Sequence, residues 1–340
     1  MNITYVVGNG LDIQYGLKTR YKDFYNYQIE RYIQIKKSGQ TNCIYEALLE
    51  DEKNQFENWS DFELSLGILT KDKPEIVSDG KSCEKFIDNF MGVIDDLNEY
   101  LRNEQNNFKL DGKQIDFRRT LDNLKADLPQ ANQHLIDSSI QKAGISHDSI
   151  NILTFNYTNI IDELYKQSKK EWEGSFTSNN YSTFIKGPIH AHGTLDFNLV
   201  LGLSNEEQFS EQFYDTYKRF LLKQSLLSDS REELDNRNKT IINSSDIIII
   251  YGMSIGETDT YFWNMIANHS VENNIPVIVH NYEVEFDRSN PIRMQRRYDE
   301  FEQKIITNSG IAPDLEEKLK SNLITVIGKS IFELVDSEGE

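Results

Sequence analysis

The sequence predicts an α/β fold: a parallel sheet with helices on both faces, entered through a glycine turn and interrupted by a long, mostly helical insertion. Three observations lead there. Apolar runs at residues 3–7, 150–154, 246–251, 276–281 and 323–327 are rich in Ile and Val and too short for helices, as buried strands of a parallel sheet are. The last four are separated by stretches long enough for helical crossovers. Most of the runs are followed within a few residues by glycine or asparagine, and ligands of open α/β sheets bind outside such carboxyl ends.

The first run stops at Gly8-Asn9-Gly10. Glycines there let the backbone turn sharply and approach a pyrophosphate. A dinucleotide fingerprint places another glycine three residues after Gly10, where Ile13 stands, so a plain strand–turn–helix remains an alternative. Residues 21–35, with Phe24, Tyr27, Ile29 and Tyr32, read as a helix. Residues 84–101 read as another, with Phe86, Phe90, Ile94, Leu97 and Leu101 on one stripe. Residues 1–40 and 146–340 then form the core, and 41–145 the helical insertion. Phe209, Phe213, Tyr217, Phe220 and Leu221 keep helical spacing, whereas residues 71–81 and 166–182 read as loops. No internal repeat or low-complexity segment is evident.

Composition narrows the function. The chain of 340 residues accommodates one large α/β domain with an insertion, or two domains. With 38% hydrophobic and 11% aromatic residues it supports a packed core. The net charge of −19, from 36 basic and 55 acidic residues, opposes long-range attraction to polyanions, so neither nucleic acid nor an anionic membrane is an expected partner. Cys43 and Cys83 form no CxxC, which argues against a zinc knuckle or a disulfide framework. The start lacks the pattern of a signal peptide, and the longest apolar run, residues 247–251, is far too short to span a bilayer. A soluble cytoplasmic protein is expected.

Chemistry-bearing clusters sit at or beyond the strand ends: Gly8 to Gly10 with Asp12, Gly16 and Thr19; Thr154 to Thr158; His190 to Thr194; and Gly252 to Gly256 with Asp259. A parallel sheet brings strand ends to one edge, where these would form a pocket with glycine turns, an amide, an imidazole and a hydroxyl. Each has a plainer reading. Asn156 suits the cap of a helix beginning near Asn159, and Asp259 the cap of a helix over residues 260–268. His190 and His192, two apart, would share a strand face and suit metal ligation, but no further ligands stand at motif spacing, and no metal is expected. Trp59 and Glu63 would share a helix face. Ser60 or Asp61 there suits a cap, with Glu63 completing a capping box, or else Glu63 is a second acid in the pocket.

The spacing across Gly8, Gly10, Leu11, Gly16 and Leu17 resembles the opening of the Sir2 superfamily, G-A-G-I-S-x-x-S-G-I. Thr154-Phe155-Asn156 resembles its T-x-N, His192-Gly193 its H-G, and Gly252-Met253-Ser254 its G-x-S turn, in the same order. The strand ending at Asn281 is similar to the segment that contacts the adenosine ribose. A closer resemblance covers nearly the whole chain. GNGLDIQYGLKTRYKDF from Gly8, the Trp59/Asp61/Glu63 motif, FNYTN from Phe155, HAHGTLD from His190 and GMSIGETD from Gly252 resemble the hallmarks of the AbiH family of bacterial abortive-infection proteins.

The resemblance implies a Rossmann-like (Sir2-like) core and NAD chemistry. Gly8, Asn9, Gly10, Asp12, Thr19, Gly252, Ser254, Asp259 and Asn281 would bind the dinucleotide, its pyrophosphate at the glycine turn and first helix end. Asn156 would orient the ribose or a water, and His192 would take the proton. Two departures stand out: Asp12 replaces a serine, placing a carboxylate where a phosphate would lie, and Thr158 stands where related enzymes often carry aspartate. The zinc cysteines of the deacylases are missing, which leaves hydrolysis of NAD as the simpler reaction. The expectation is therefore an anti-phage NAD glycohydrolase. Its partners would be NAD or a related dinucleotide, a phage-derived trigger and a second copy of the chain. The alternatives are a nucleotide-sensing module without catalysis and a metal-dependent hydrolase or nuclease using His190 and His192.

Overall fold

The computed structural model describes residues 1–59, 61–122, 124–143, 147–172, 177–178, 181–230, 233–281 and 289–336. Its strands are β1 (Asn2–Val7), β2 (Lys113–Ile115), β3 (His147–Thr154), β4 (Thr177–Ser178), β5 (Tyr181–Ile185), β6 (Ile189–His190), β7 (Ile247–Tyr251), β8 (Val277–Asn281), β9 (Leu323–Ile327) and β10 (Leu334–Asp336). The main sheet runs β4-β5-β3-β1-β7-β8-β9, with β6 also pairing with β3. Every pairing in it is parallel except β4 with β5. The parallel sheet expected from the apolar runs is thus present, and each of the five runs is a strand within a few residues of its expected bounds.

Chain order matters more than strand count. From β1 the chain builds outward through β3 to β5 and β6, then returns to the other side of β1 for β7, β8 and β9. The order reverses between β1 and β7, which is where doubly wound sheets of Rossmann type form their ligand crevice. Register makes the crevice sharp: Val7 lies opposite both Thr154 and Tyr251, Thr154 opposite His190, and Tyr251 opposite His280. The strands therefore end level, and the loops that follow them emerge together.

Side chains alternate across the sheet. Ile3, Tyr5 and Val7 join one core with Ile160, Leu164 and Phe332. Val6 joins the opposite core with Ile248, Ile250, Phe262 and Trp263. Burial of apolar side chains on both faces explains why these strands are continuous Ile/Val runs rather than alternating ones.

Between β1 and β3 the chain is mainly helical: α1 (Gly10–Gln14), α2 (Tyr21–Lys37), α3 (Cys43–Asp51), α4 (Phe62–Asp72), α5 (Gly80–Asn107), α6 (Phe117–Asp122) and α7 (Gln130–Ala143). α2 to α5 enclose an aromatic core of their own, with Phe24, Tyr25, Trp59, Phe62, Phe86 and Phe90. α5 begins before the expected residue 84 because Asp79 caps it: its carboxylate accepts from Ser82 N at 2.7 Å, and the Ser82 hydroxyl accepts from Asp79 N at 2.9 Å.

After β3 come α8 (Ile160–Trp172), α9 (Asp215–Lys218), α10 (Lys223–Ser228), α11 (Leu234–Asn243), α12 (Thr260–Asn273), α13 (Pro291–Ser309) and α14 (Glu316–Asn322). Three expectations are corrected. The aromatic run at 209–221 is not one helix. It holds only the four-residue α9, and Phe209, Phe213 and Leu221 instead dock into the aromatic core of the insertion. The presumed loop at 166–182 begins as the last turns of α8 and includes β4 and the start of β5. Lys166 and Gln167 lie on the exposed face of a helix whose inner face carries Ile160, Ile161 and Leu164. Likewise most of 71–81 is helical, ending α4, forming a 3-10 turn at Pro74–Val77 and starting α5. Among the described residues no helix is long and apolar enough to cross a membrane.

Candidate active site

Outside the level strand ends lies a cleft of about 1510 Å³. Gly8, Asn9 and Asp12 line it after β1, Phe155 to Thr158 after β3, His192 after β6, Met253 to Asp259 after β7, and Asn281 at the end of β8. The segment leading into α2 adds Thr19 to Lys22, the insertion adds Asp61, Glu63, Leu97 and Leu101, and α13 supplies Arg297 and Lys304. Gly10 and Gly252 do not line it, because they pack against each other.

That contact defines what the glycine turn does. Gly8 N donates to Tyr251 O and Gly10 N to Gly252 O, each at 2.9 Å, and Leu11 N donates to Gly8 O at 3.1 Å. A Cβ on Gly10 would lie 2.5 Å from Gly252 Cα. The turns after β1 and β7 thus interlock at the point where strand order reverses. These backbone N–H groups are satisfied within the protein, so the expected pyrophosphate cradle is not built from them. Space for a neighbouring backbone, rather than for a ligand, is what demands glycine here.

Asp12 is 1% exposed, yet it is not aimed at a phosphate. Its Oδ1 accepts from Asn156 Nδ2 at 3.0 Å and its Oδ2 from the Thr158 hydroxyl at 2.6 Å. The two departures from the Sir2 pattern, Asp12 and Thr158, are therefore hydrogen-bond partners. Burial pushes the Asp12 carboxyl up to about 6, against the hydrogen bonds from Thr158 and Asn156 and the charge of His190, which pull it down. Asn156 is buried, and its amide is engaged by Asp12 rather than capping α8. Its Oδ1 has no partner among the described residues. His190 lies behind the network, bonded through Nδ1 to Asn156 O and through Nε2 to Asp162 Oδ2, both at 2.8 Å.

His192 follows β6 in a turn and does not share a strand face with His190. Its ring lies edge-on to Phe155 and Phe262, at centroid distances of 4.9 and 5.2 Å. Burial lowers its pKa to about 3, with the Lys223 charge acting in the same direction and Asp259 opposing. The ring is neutral, and its buried Nε2 has no partner among the described residues. The turn depends on Gly193, at φ +76°, where a Cβ would lie 1.9 Å from Asn198 O.

Beyond His192 is a buried ion triad that sequence reasoning missed in part. Lys223 Nζ donates to Glu63 Oε2 at 2.7 Å, to Asp259 Oδ1 at 2.8 Å and to Thr258 O at 3.2 Å. Glu63 Oε1 also accepts from Gly202 N at 2.9 Å. One cation faces two carboxylates, so the acids divide. Burial raises Glu63 beyond what Lys223 offsets, whereas at Asp259 the burial effect is overridden by Lys223 and the carboxyl stays below its ordinary range. Asp61 caps α4 through Leu64 N, at 3.1 Å, and burial raises it as well. Ser60 lies outside the described residues. Trp59 ends a separate 3-10 turn and is buried in the aromatic core rather than sharing a helix face with Glu63. Asp259 stands at the start of α12 without a side-chain cap bond.

A family model described as bacteriophage abortive infection AbiH matches residues 4–281. The chain belongs to the AbiH family. No curated protein matched. The matched span of this AbiH protein includes every residue of the cleft described so far except those on α13. The remaining expected residues also border the cleft. Asn9 Nδ2 donates to Thr19 O at 3.1 Å, the Thr19 hydroxyl is buried without a partner among the described residues, and Ser254 and Asn281 stand at the β7 and β8 ends. Lys223 lies more than twenty residues from any recognised motif. Its only sequence signal is a lone cation between Leu221-Leu222 and Leu226-Leu227. Among the described residues no group of three or more His, Cys, Asp or Glu is placed to hold a metal ion.

Proposed function

We propose that this abortive-infection protein binds NAD in the cleft and hydrolyses it to nicotinamide and ADP-ribose. One observation carries the reading: Asn156 and His192 lie in one cleft beside Gly8 and Asn9, and each holds a buried polar atom, Asn156 Oδ1 and His192 Nε2, with no partner among the described residues. Buried polar atoms are normally satisfied, so the atoms left over are those a ligand would meet. Ribose hydroxyls and an attacking water can donate to Asn156 Oδ1 and, when the His192 proton sits on Nδ1, to His192 Nε2. The Thr19 hydroxyl, with Arg20 and Lys22 at the start of α2, stands along the same wall and suits the diphosphate.

In the reaction the bond between ribose C1′ and the pyridinium nitrogen breaks, and its electron pair stays on nitrogen. Nicotinamide leaves neutral and needs no general acid. Water then forms the new bond at C1′ and loses a proton. Water attached to an oxocarbenium-like carbon is strongly acidic, so even the weakly basic His192 suffices to take that proton. The hydrophobic walls supplied by Phe155, Leu97 and Leu101 would limit stray water.

Nicotinamide release from NAD, assayed with purified protein and in lysates of phage-infected cells, tests the reading. His192→Ala and Asn156→Ala are expected to abolish release while circular dichroism and the thermal midpoint stay near wild type. Release undiminished in both variants would refute the site. Tight ADP-ribose binding by calorimetry without any release would replace catalysis with sensing.

A further inference from the structure

We infer that Asp12 is a positioning residue whose carboxylate fixes the polarity of the Asn156 amide, turning its NH2 inward and leaving its carbonyl oxygen as the acceptor offered to a ligand. The catalytic consequence rests on the proposed function; the coupling of the two side chains does not.

The argument is one of donors and acceptors. An ionised carboxylate only accepts. Asp12 Oδ2 is filled by the Thr158 hydroxyl, and Oδ1 is met by Asn156 Nδ2. Reversing the amide would set Asn156 Oδ1 against a carboxylate oxygen inside a site where Asp12 is 1% and Asn156 3% exposed. Two buried acceptors in contact, with no proton between them, are strongly disfavoured. The backbone is held independently, since Asn156 N donates to the Thr154 hydroxyl at 3.1 Å and Asn156 O accepts from His190. Only the amide is left to choose a direction, and Asp12 chooses it.

Protonation removes the constraint. A neutral Asp12 donates as well as accepts, so both amide orientations become allowed. The titratable group acting on Asp12 is His190, whose charge favours the carboxylate; the nearby Tyr15 is kept protonated mainly by its own burial, with Tyr251 and Asp12 adding to that effect. Thr158 also favours the carboxylate, so its hydroxyl keeps the amide locked to lower pH than Asn156 alone would.

Selective 15N-asparagine labelling tests the coupling without a ligand. The Asn156 side-chain amide resonance, assigned by its loss in Asn156→Ser, should shift with pH along a single curve with a midpoint near 6. Thr158→Val should move that midpoint up by a measurable fraction of a pH unit. In Asp12→Asn, which keeps the shape, the shift should vanish. A resonance insensitive to pH in the wild type, or an unchanged curve in Asp12→Asn, overturns the inference.

The kinetic test is separate. Asp12→Asn should lower kcat for nicotinamide release about a hundredfold, as small misplacements of a reacting group do, with little change in KM. The acid limb of the wild-type profile should be lost. A KM effect alone would mean that Asp12 contacts the ligand instead, and would also overturn the inference. Nicotinamide release missing from the wild type, with the amide titration intact, would sink the proposed function and leave the inference standing.

Discussion

Lys223 is the cation of a buried ion group that otherwise carries only acids. Its side chain is 6% exposed, and it separates Glu63 from Asp259. A buried ion group of this kind is weak evidence for net stability, but removing one partner strands the others. Lys223→Met is therefore expected to destabilise the fold by ~3–5 kcal/mol in urea unfolding. Adding Glu63→Gln and Asp259→Asn should restore part of the loss. A single variant as stable as the wild type would mean that the two acids are neutral in the folded protein. The neighbouring His192 is held neutral by the same burial, so the triad and the imidazole form one electrostatic unit.

At the scale of elements, the interlocked turns after β1 and β7 set how closely these two strands end. Gly10→Ala places a methyl group 2.5 Å from a backbone carbon that belongs to a hydrogen-bonded turn. Backbone cannot give way as a side chain tip can, so the substitution should cost ~1–3 kcal/mol, read as a lower urea midpoint. Gly80→Ala meets nothing within 4 Å and serves as the control. Equal stability of the two variants would show that the turns are not rigidly packed. The parallel strands and the helices α2 and α5 were legible in the chain because their periodicity is local. The segment at 209–221 was not, because Phe209 and Phe213 are fixed by distant aromatic neighbours rather than by a helix of their own.

For the whole molecule, acid stability is a balance of opposite linkages. Burial lowers His192 to about 3 and His280 to about 4. The unfolded chain therefore binds more protons than the folded one from about pH 6.5 downward, and stability falls on acidification. Asp12 has the reverse sign. Its folded pKa of about 6 lies above the ordinary 3.8, so its protonation favours the folded state between those values and part of the loss is offset. Asp12→Asn should consequently lose stability more steeply than wild type between pH 6 and 4, by up to ~1.4 kcal/mol per pH unit. Urea midpoints across that range decide the matter, and parallel curves for the two proteins would contradict the linkage.

The amino-acid sequence by itself determined the sheet, the helical character of the insertion, the family and the residues at the strand ends. These depend on short-range pattern: apolar runs, helical stripes, and motifs that keep their order along the chain. Tertiary structure decided what those residues touch. The glycines of the opening turn make room for Gly252, Asp12 faces Asn156 and Thr158 rather than a phosphate, and Lys223 joins two acids 160 and 36 residues away. Such contacts arise when the sheet order reverses and brings distant loops level at one edge. Nothing local to residue 12 or residue 223 encodes a partner that the chain meets only after folding.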